Sequence, residues 1–400
     1  MKTLRSERNR RNRIYVLLLM GLLGLNGCGS PSSASMEASL EEPADTTETA
    51  ETGQAELVKT GSMELQYAEN FAVDYYEDGY KMLTTLPDSK RYLIVPEGQP
   101  VPQGLDEDVS ILQEPLQNIY LVASGVMDMF ASLDAVGQIR FSGQKQENWY
   151  IQTAKDAMAA GDMIYAGKYS KPDYELLVSE GCDLTIENRM ITHSPEVVEM
   201  LQSFDIPVMI EYSSYEQHPL GKVEWVKFFG ALTGREAEAE EAFAEQTEIL
   251  EEVESGEKTG KTIAFFYVTS NGLIQVRQST DYIPKLIELA GGRYIFEDLE
   301  DSGSGRSTLN MQIEDFYAGA KDADILIYNS SIDGGVTTVD ELIGKCNILK
   351  DFKAVQEGQV YCTTNDMYQQ SMAIGYLLQD MHTVLTDDDT AKLRYLFLLQ

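Results

Sequence analysis

Several aromatic and charged side chains follow predicted strands, where they could form the walls of a binding site. Glu187 and Arg189 come directly after one apolar strand, and Tyr212 and Tyr215 follow the next. Tyrosine and tryptophan offer a flat apolar face with a polar tip, which suits a flat ligand. Arginine can pair with the carboxylates or other anionic groups of a ligand. The candidate binding residues of this kind are Trp149, Glu187, Arg189, Tyr212, Tyr215, Tyr267, Arg277, Tyr328 and Tyr368.

The residue pattern argues against catalysis and against direct metal binding. A metal site would need three or four His or carboxylate ligands converging from different elements. The chain has three histidines, and His218 precedes Pro219, a position typical of a helix cap. The glycine-rich segment 303–308 lacks a P-loop lysine, and no G-x-S-x-G nucleophile elbow occurs. We therefore expect no enzyme activity, no catalytic residue, no metal site and no cofactor.

Composition limits the partners that this chain can have. Its 400 residues suggest two or three domains, and its 43% hydrophobic content is typical of globular proteins. The 65 acidic and 31 basic residues give a formal net charge of −34. A surface so acidic argues against nucleic-acid binding and against an extended contact with anionic lipid headgroups. Four cysteines are too few for a disulfide scaffold.

The N-terminus has the pattern of a secretory signal. A cluster of arginines precedes an apolar run over residues 14–25, and the segment ends Leu25-Asn26-Gly27-Cys28. That ending resembles a bacterial lipobox, which predicts a signal peptide over 1–27 and lipidation of Cys28. A plain secretory signal is the alternative. Residues 28–61 are rich in Ser, Ala, Glu and Thr and are predicted to be a disordered tether. The protein is thus expected to be extracytoplasmic and anchored to the cell membrane by lipid.

Short apolar strands alternate with helical segments beyond residue 61, which predicts an α/β fold with mainly parallel sheets. The predicted strands include 92–95, 119–122, 136–139, 184–186, 207–210, 262–268, 325–328 and 359–362. The predicted helices include 173–179, 195–204, 282–289, 313–320 and 372–385. This pattern divides the chain into an N-terminal lobe over 62–217 and a C-terminal lobe over 257–400. The segment 218–256 between them predicts one long helix, or two with a break near Thr233-Gly234. Ligands of such sheets bind beyond the carboxyl ends of the strands, here in the cleft between the lobes.

Several sequence motifs follow one another in order between about residues 90 and 390. In the first half, Lys171-Pro172-Asp173-Tyr174-Glu175 leads into the segment 181–186, and Ile206-Pro207-Val208 follows. In the second half the motifs are the segments 286–292, 313–315, 322–327 and 354–361. The ordered set resembles the substrate-binding lipoproteins of ABC importers for iron-siderophores, haem and cobalamin. Cys182 departs from that pattern, since the family often has proline there.

The resemblance implies two Rossmann-like lobes joined by a long rigid interdomain helix. It implies a monomer that captures a metal chelate (ferric siderophore, haem or cobalamin) in the interlobe cleft and delivers it to an ABC permease and its ATPase. It adds Tyr169 as a ligand-facing aromatic residue and assigns permease docking to Glu175 and Glu314, one in each lobe. Two alternatives remain open: a binding protein for a bare transition-metal ion, and a surface sensing or adhesion module on the same fold.

Overall fold

The computed structural model describes residues 57–299, 307–330, 335–386 and 389–400. The predicted signal peptide, the lipidation site Cys28 and most of the predicted tether lie outside these ranges. Within them, no helix combines the length and apolar character needed to cross a membrane.

The strands lie mainly where apolar runs occur in the sequence. They are β1 (Lys59–Ser62), β2 (Phe71–Tyr76), β3 (Lys81–Thr85), β4 (Lys90–Val95), β5 (Val109–Gln113), β6 (Ile119–Leu121), β7 (Ile139–Ser142), β8 (Ile164–Tyr165), β9 (Gly167–Lys168), β10 (Lys171–Pro172), β11 (Leu184–Glu187), β12 (Val208–Ile210), β13 (Thr262–Val268), β14 (Ile274–Arg277), β15 (Arg293–Tyr294), β16 (Thr308–Met311), β17 (Ile325–Tyr328), β18 (Val360–Thr363) and β19 (Leu396–Leu398).

The helices connect these strands or join the two lobes. They are α1 (Val126–Ser132), α2 (Gln152–Ala160), α3 (Tyr174–Ser179), α4 (Pro195–Ser203), α5 (Pro219–Thr233), α6 (Glu236–Glu254), α7 (Tyr282–Leu289), α8 (Ile313–Ala320), α9 (Val339–Lys345), α10 (Lys353–Glu357) and α11 (Ile374–Thr386).

The first sheet precedes the parallel lobes and has the order β1-β2-β3-β4-β5. Its first three pairings are antiparallel, and β4 pairs with β5 in parallel. The predicted end of the tether at residue 61 is wrong, because Lys59–Ser62 pairs with β2. All four residues of β1 are exposed, and backbone hydrogen bonding across an antiparallel pair requires no apolar side chains.

The second sheet forms the N-terminal lobe and is wholly parallel, in the order β12-β11-β6-β7-β8. The helices α1 to α4 lie between its strands in the chain. The strand predicted over 136–139 is wrong. Val136–Gln138 is a 3₁₀ turn without a buried residue, and β7 starts only at Ile139. A short apolar run does not by itself distinguish a strand from a turn.

The third sheet forms the C-terminal lobe. Its order is β16-β14-β13-β17-β18-β19, and β15 also pairs with β13. The central pairings β13/β17 and β17/β18 are parallel, whereas β14, β16 and β19 join in antiparallel fashion. The predicted α/β architecture is therefore present in both lobes; the sheet of the N-terminal lobe is wholly parallel, and that of the C-terminal lobe is parallel at its centre.

The connector between the lobes is two helices rather than one long helix. The helix α5 ends at Gly234, whose φ of +71° is a left-handed conformation that glycine adopts without strain, and α6 follows. Residues 219–232 of α5 are all buried, so this helix lies inside the molecule. One apolar core contains Phe71 of the first sheet, Phe130 of α1, Trp225 of α5 and Phe265 of β13. The connector therefore packs the lobes together through a shared core.

Candidate ligand-binding cleft

The N-terminal lobe contributes three loops to a cavity between the lobes. These loops follow β6, β11 and β12, whose carboxyl ends meet at one edge of the sheet because the strands are parallel. Their lining residues are Ala123, Ser124, Gly125, Asn188, Arg189, Met190, Glu211, Ser214 and Tyr215.

The other walls come from the connector and the C-terminal lobe. Lys222 of α5 lines the cavity, as do Tyr368 and Ser371 from the segment between β18 and α11. The cavity measures about 260 Å³. Both lobes and the connector thus build one site, and Arg189, Tyr215 and Tyr368 are the sequence-predicted residues that line it.

Arg189 and Tyr215 form a stacked pair on the N-terminal wall. The Arg189 guanidinium carbon lies 4.7 Å from the centre of the Tyr215 ring, within the range of a cation–π contact. Tyr212 packs behind them, with its ring 6.4 Å from that of Tyr215. Tyr212 is buried and does not line the cavity, so it supports this wall from behind.

Arg277 lies behind the C-terminal wall and holds Tyr368 in place. Its guanidinium pairs with the Asp281 carboxylate at 3.3 Å and donates a hydrogen bond to the Tyr368 hydroxyl. Asn329 Nδ2 donates to the same hydroxyl at 2.7 Å. Burial alone would lower the pKa of Arg277. The electrostatic interactions with Tyr368 and Asp281 are larger in sum, so the pKa is raised. The guanidinium is therefore charged, and it positions Tyr368 instead of lining the cavity.

Five other predicted residues lie away from the cavity lining. Trp149 and Tyr328 are fully buried, and the Trp149 indole donates to Ser142 Oγ at 3.0 Å. Tyr169 and Tyr267 are half-buried and pack against the apolar clusters of their own lobes. Their predicted contact with a ligand in the cleft does not agree with these positions. Sequence proximity to a strand end does not specify which way a side chain points.

Glu187, the fifth of these, faces the apolar helical layer of the N-terminal lobe. Its β11 neighbours Leu184 and Ile186 belong to the core on one face of the sheet, so alternation directs Glu187 to the opposite face. Neither of its carboxylate oxygens has a hydrogen-bond partner among the described residues. Burial raises the pKa of Glu187 to about 8.

The sequence reasoning missed two charged residues that line the cavity. Glu211 is buried, and its Oε2 accepts hydrogen bonds from Ser213 N at 2.8 Å and Ser213 Oγ at 2.5 Å. Burial raises the pKa of Glu211, and the Ser213 bonds oppose that shift. Burial lowers the pKa of Lys222, and the nearby Glu211 opposes that shift. The available signal for Lys222 was a charged residue among the apolar residues of α5, but Glu224 and Lys227 carry the same signal.

Hydrogen bonds join the two lobes beside the cavity. Gln369 accepts from Tyr150 N and donates to Asn148 O, both at 2.8 Å. Asp128 of α1 accepts from Met372 N at 2.7 Å. Burial raises the pKa of Asp128 to about 6, although the Met372 bond opposes this shift. These contacts hold the segment that carries Tyr368 against the N-terminal lobe.

The predicted docking residues occupy equivalent places in the two lobes. Glu175 lies in the first turn of α3, which precedes β11, and Glu314 lies in the first turn of α8, which precedes β17. Both are exposed, and within the described ranges neither forms a salt bridge. They are therefore available for an external contact.

Histidines and cysteines form no metal site in the described ranges, where no group of three or more His, Cys, Asp or Glu side chains could hold an ion. His218 caps α5, since its Nδ1 accepts from Leu220 N at 3.2 Å. His193 is exposed. Among the residues that the structure describes, Cys182, Cys346 and Cys362 form no disulfide.

Comparison with known proteins identifies the family. The model of the periplasmic binding protein family matches residues 124–367, more than half of the chain. This chain therefore belongs to the periplasmic binding protein family, the solute-binding components of ABC transporters. Family membership confirms the expectation of a binding protein rather than an enzyme.

Individual relatives agree with this assignment. An uncharacterised lipoprotein of Methanocaldococcus jannaschii is 24% identical over 351 residues, which cover 80% of this chain and 81% of the relative. A periplasmic haem-binding protein of Vibrio cholerae has a TM-score of 0.54 at 14% identity and covers 67% of this chain and 98% of its own. A protein of an Fe³⁺-hydroxamate transport system from Saccharomonospora viridis has a TM-score of 0.52 at 17% identity, with 68% and 93% coverage. The two structures establish likeness of fold.

Proposed function

We propose that this protein captures a metal chelate (a ferric siderophore, haem or cobalamin) in the interlobe cleft and delivers it to an ABC permease with its ATPase. The observation that carries the proposal is the cavity built jointly by both lobes and α5. Its lining combines aromatic rings with cationic side chains, the chemistry that suits a flat or anionic chelate.

Two structurally similar proteins support this ligand class. One binds haem, and another belongs to an Fe³⁺-hydroxamate transport system. Small-molecule sites measure about 300–1,000 Å³, and the cavity of about 260 Å³ is slightly smaller than the lower end of that range. A chelate of haem or siderophore size would therefore remain partly outside the cavity, where a permease could reach it.

Delivery requires that the protein stay near its permease. Lipidation of Cys28 would tether the folded part outside the cell membrane, and the acidic segment that follows would give it reach. Glu175 and Glu314 would then dock on basic residues of the permease, one from each lobe. Paired charges of this kind orient an encounter and raise its rate. The protein would act as a monomer.

Isothermal titration calorimetry of the purified protein tests the ligand class. The panel holds a ferric hydroxamate, a ferric catecholate, haem, cobalamin, and free zinc and manganese ions. We expect saturable binding of at least one chelate or tetrapyrrole. A response to the free ions alone would contradict the proposal and favour capture of a bare metal. Intrinsic fluorescence is a weaker readout, because Trp149 and Trp225 are both fully buried.

A further inference from the structure

Lys222 is a buried cation that lines the cleft from the connector helix. Only 4% of this residue is exposed, yet it borders the cavity together with Arg189, Tyr215 and Tyr368. Its ammonium nitrogen lies 4.6 Å from the centre of the Tyr282 ring. No salt bridge joins it to a carboxylate in the described part of the chain.

The neighbouring charges are already engaged elsewhere. Glu211 attracts Lys222, but its carboxylate accepts two hydrogen bonds from Ser213. Asp281, which also attracts Lys222, is paired with Arg277. A buried charge is costly when it has no ionic or hydrogen-bonding partner.

The cavity lining therefore carries more positive than negative charge. Lys222 and Arg189 are its cations, and Glu211 is its carboxylate. This excess occurs in a chain whose formal net charge is −34, so it is a local feature and does not follow from composition. An anionic group entering the cavity would supply the counter-charge. Its bond to a buried ammonium would also be strong, because little water competes there.

We propose that the cleft selects negatively charged chelates, and that Lys222 is the residue that recognises the anionic group. This inference rests on the proposed function and narrows its ligand class. A ferric tricatecholate complex and the propionates of haem carry the required charge. A neutral ferric trihydroxamate complex lacks it.

The experiment measures the affinity of the purified protein for an anionic ferric tricatecholate and for a neutral ferric trihydroxamate by calorimetry. The variants are Lys222→Met, Lys222→Arg and the control Lys227→Met. Lys227 lies on the same helix, is also buried, and also stacks on a ring, that of Phe243 at 4.6 Å. It pairs with Glu240 at 2.9 Å and does not line the cavity.

The unaltered protein should prefer the anionic complex. Lys222→Met should weaken binding of that complex by roughly 10- to 100-fold, the usual worth of a charge-assisted hydrogen bond. Lys222→Arg should retain most of the affinity, and Lys227→Met should bind as the unaltered protein does. If Lys222→Met does not fold, the affinities of the unaltered protein for the two complexes still test the inference, because equal or tighter binding of the neutral complex contradicts it.

The possible failures are distinguishable. Equal or tighter binding of the neutral complex overturns the inference. So does an affinity for the anionic complex that Lys222→Met does not change. Either result is compatible with the proposed function. If the protein binds neither ferric complex and neither haem nor cobalamin, the inference and the proposed function are both wrong.

Discussion

Glu187 places a carboxyl group in an apolar layer without a hydrogen-bond partner among the described residues. Its pKa is raised to about 8 by burial, well above the value expected in the unfolded chain. The folded protein therefore holds a proton there that the unfolded chain releases at lower pH. It follows that stability falls as pH rises from about 4.5 towards 8.

Replacement of Glu187 by glutamine should remove this dependence. Each unit of pKa difference corresponds to about 1.4 kcal/mol, so the unaltered protein should lose about 2–3 kcal/mol between about pH 5 and 7 from this group. Chemical denaturation at several pH values measures the free energy of unfolding of both proteins. The difference between them isolates Glu187 from other titrating groups. A constant difference across this interval would show that Glu187 is ionised and solvated in the folded state.

At the scale of elements, α5 holds the loop between β1 and β2 through a buried carboxylate. Glu224 is fully buried and accepts hydrogen bonds from the backbone N–H groups of Gln66, Tyr67 and Ala68 at 2.8–3.2 Å. Glu216 receives the next two N–H groups, those of Glu69 and Asn70. These bonds attach the loop between β1 and β2 of the first sheet to the connector and to the residues just before it.

Substitution Glu224→Gln should lower the free energy of unfolding by about 2–4 kcal/mol, because the amide places a donor against backbone donors and removes a buried charge. The matched control is Glu240→Gln, since both Glu224 and Glu240 pair with Lys227, at 3.8 and 2.9 Å, but Glu240 is exposed. It should cost less than about 1 kcal/mol. Urea denaturation measures both, and equal effects would mean that the buried hydrogen bonds contribute little.

At the scale of the whole molecule, the shared core limits movement between the lobes. Phe71, Trp225 and Phe265 belong to one apolar cluster that spans the first sheet, the connector and the C-terminal lobe. Opening the cleft widely would expose this cluster to water. Ligand-free and ligand-bound crystal structures should therefore superpose within about 1 Å over Cα atoms. A hinge rotation that separates the lobes by several ångströms would contradict this expectation.

Docking is also a property of the whole molecule, because it needs one charge on each lobe. Charge reversal at both Glu175 and Glu314 should abolish uptake in cells and leave the affinity for the ligand unchanged, since both residues are exposed and outside the cavity lining. The control is Glu241→Lys, an exposed glutamate of α6. Uptake and calorimetry together separate the two effects. A parallel loss of affinity would refute docking as the role of this pair.

The sequence alone determined where many of the elements lie. The predicted bounds of β13, α7 and α8 agree residue for residue with the structure. Such elements carry their own signals, because apolar periodicity and caps such as Asp281 at the start of α7 are local properties of the chain. The ordered motifs likewise led to the correct family.

Only the tertiary structure decided which side chains face the cleft. Tyr215 follows β12 and lines the cavity. Tyr328 ends β17 and is buried in the core. Lys222 is one of three charged residues of α5, with Glu224 and Lys227, and nothing in the local sequence singles it out; it lines the site because α5 is enclosed by both lobes. The physical reason is that side-chain direction depends on strand register and on the docking of distant elements. Those contacts join residues far apart in the chain, and local patterns do not encode them.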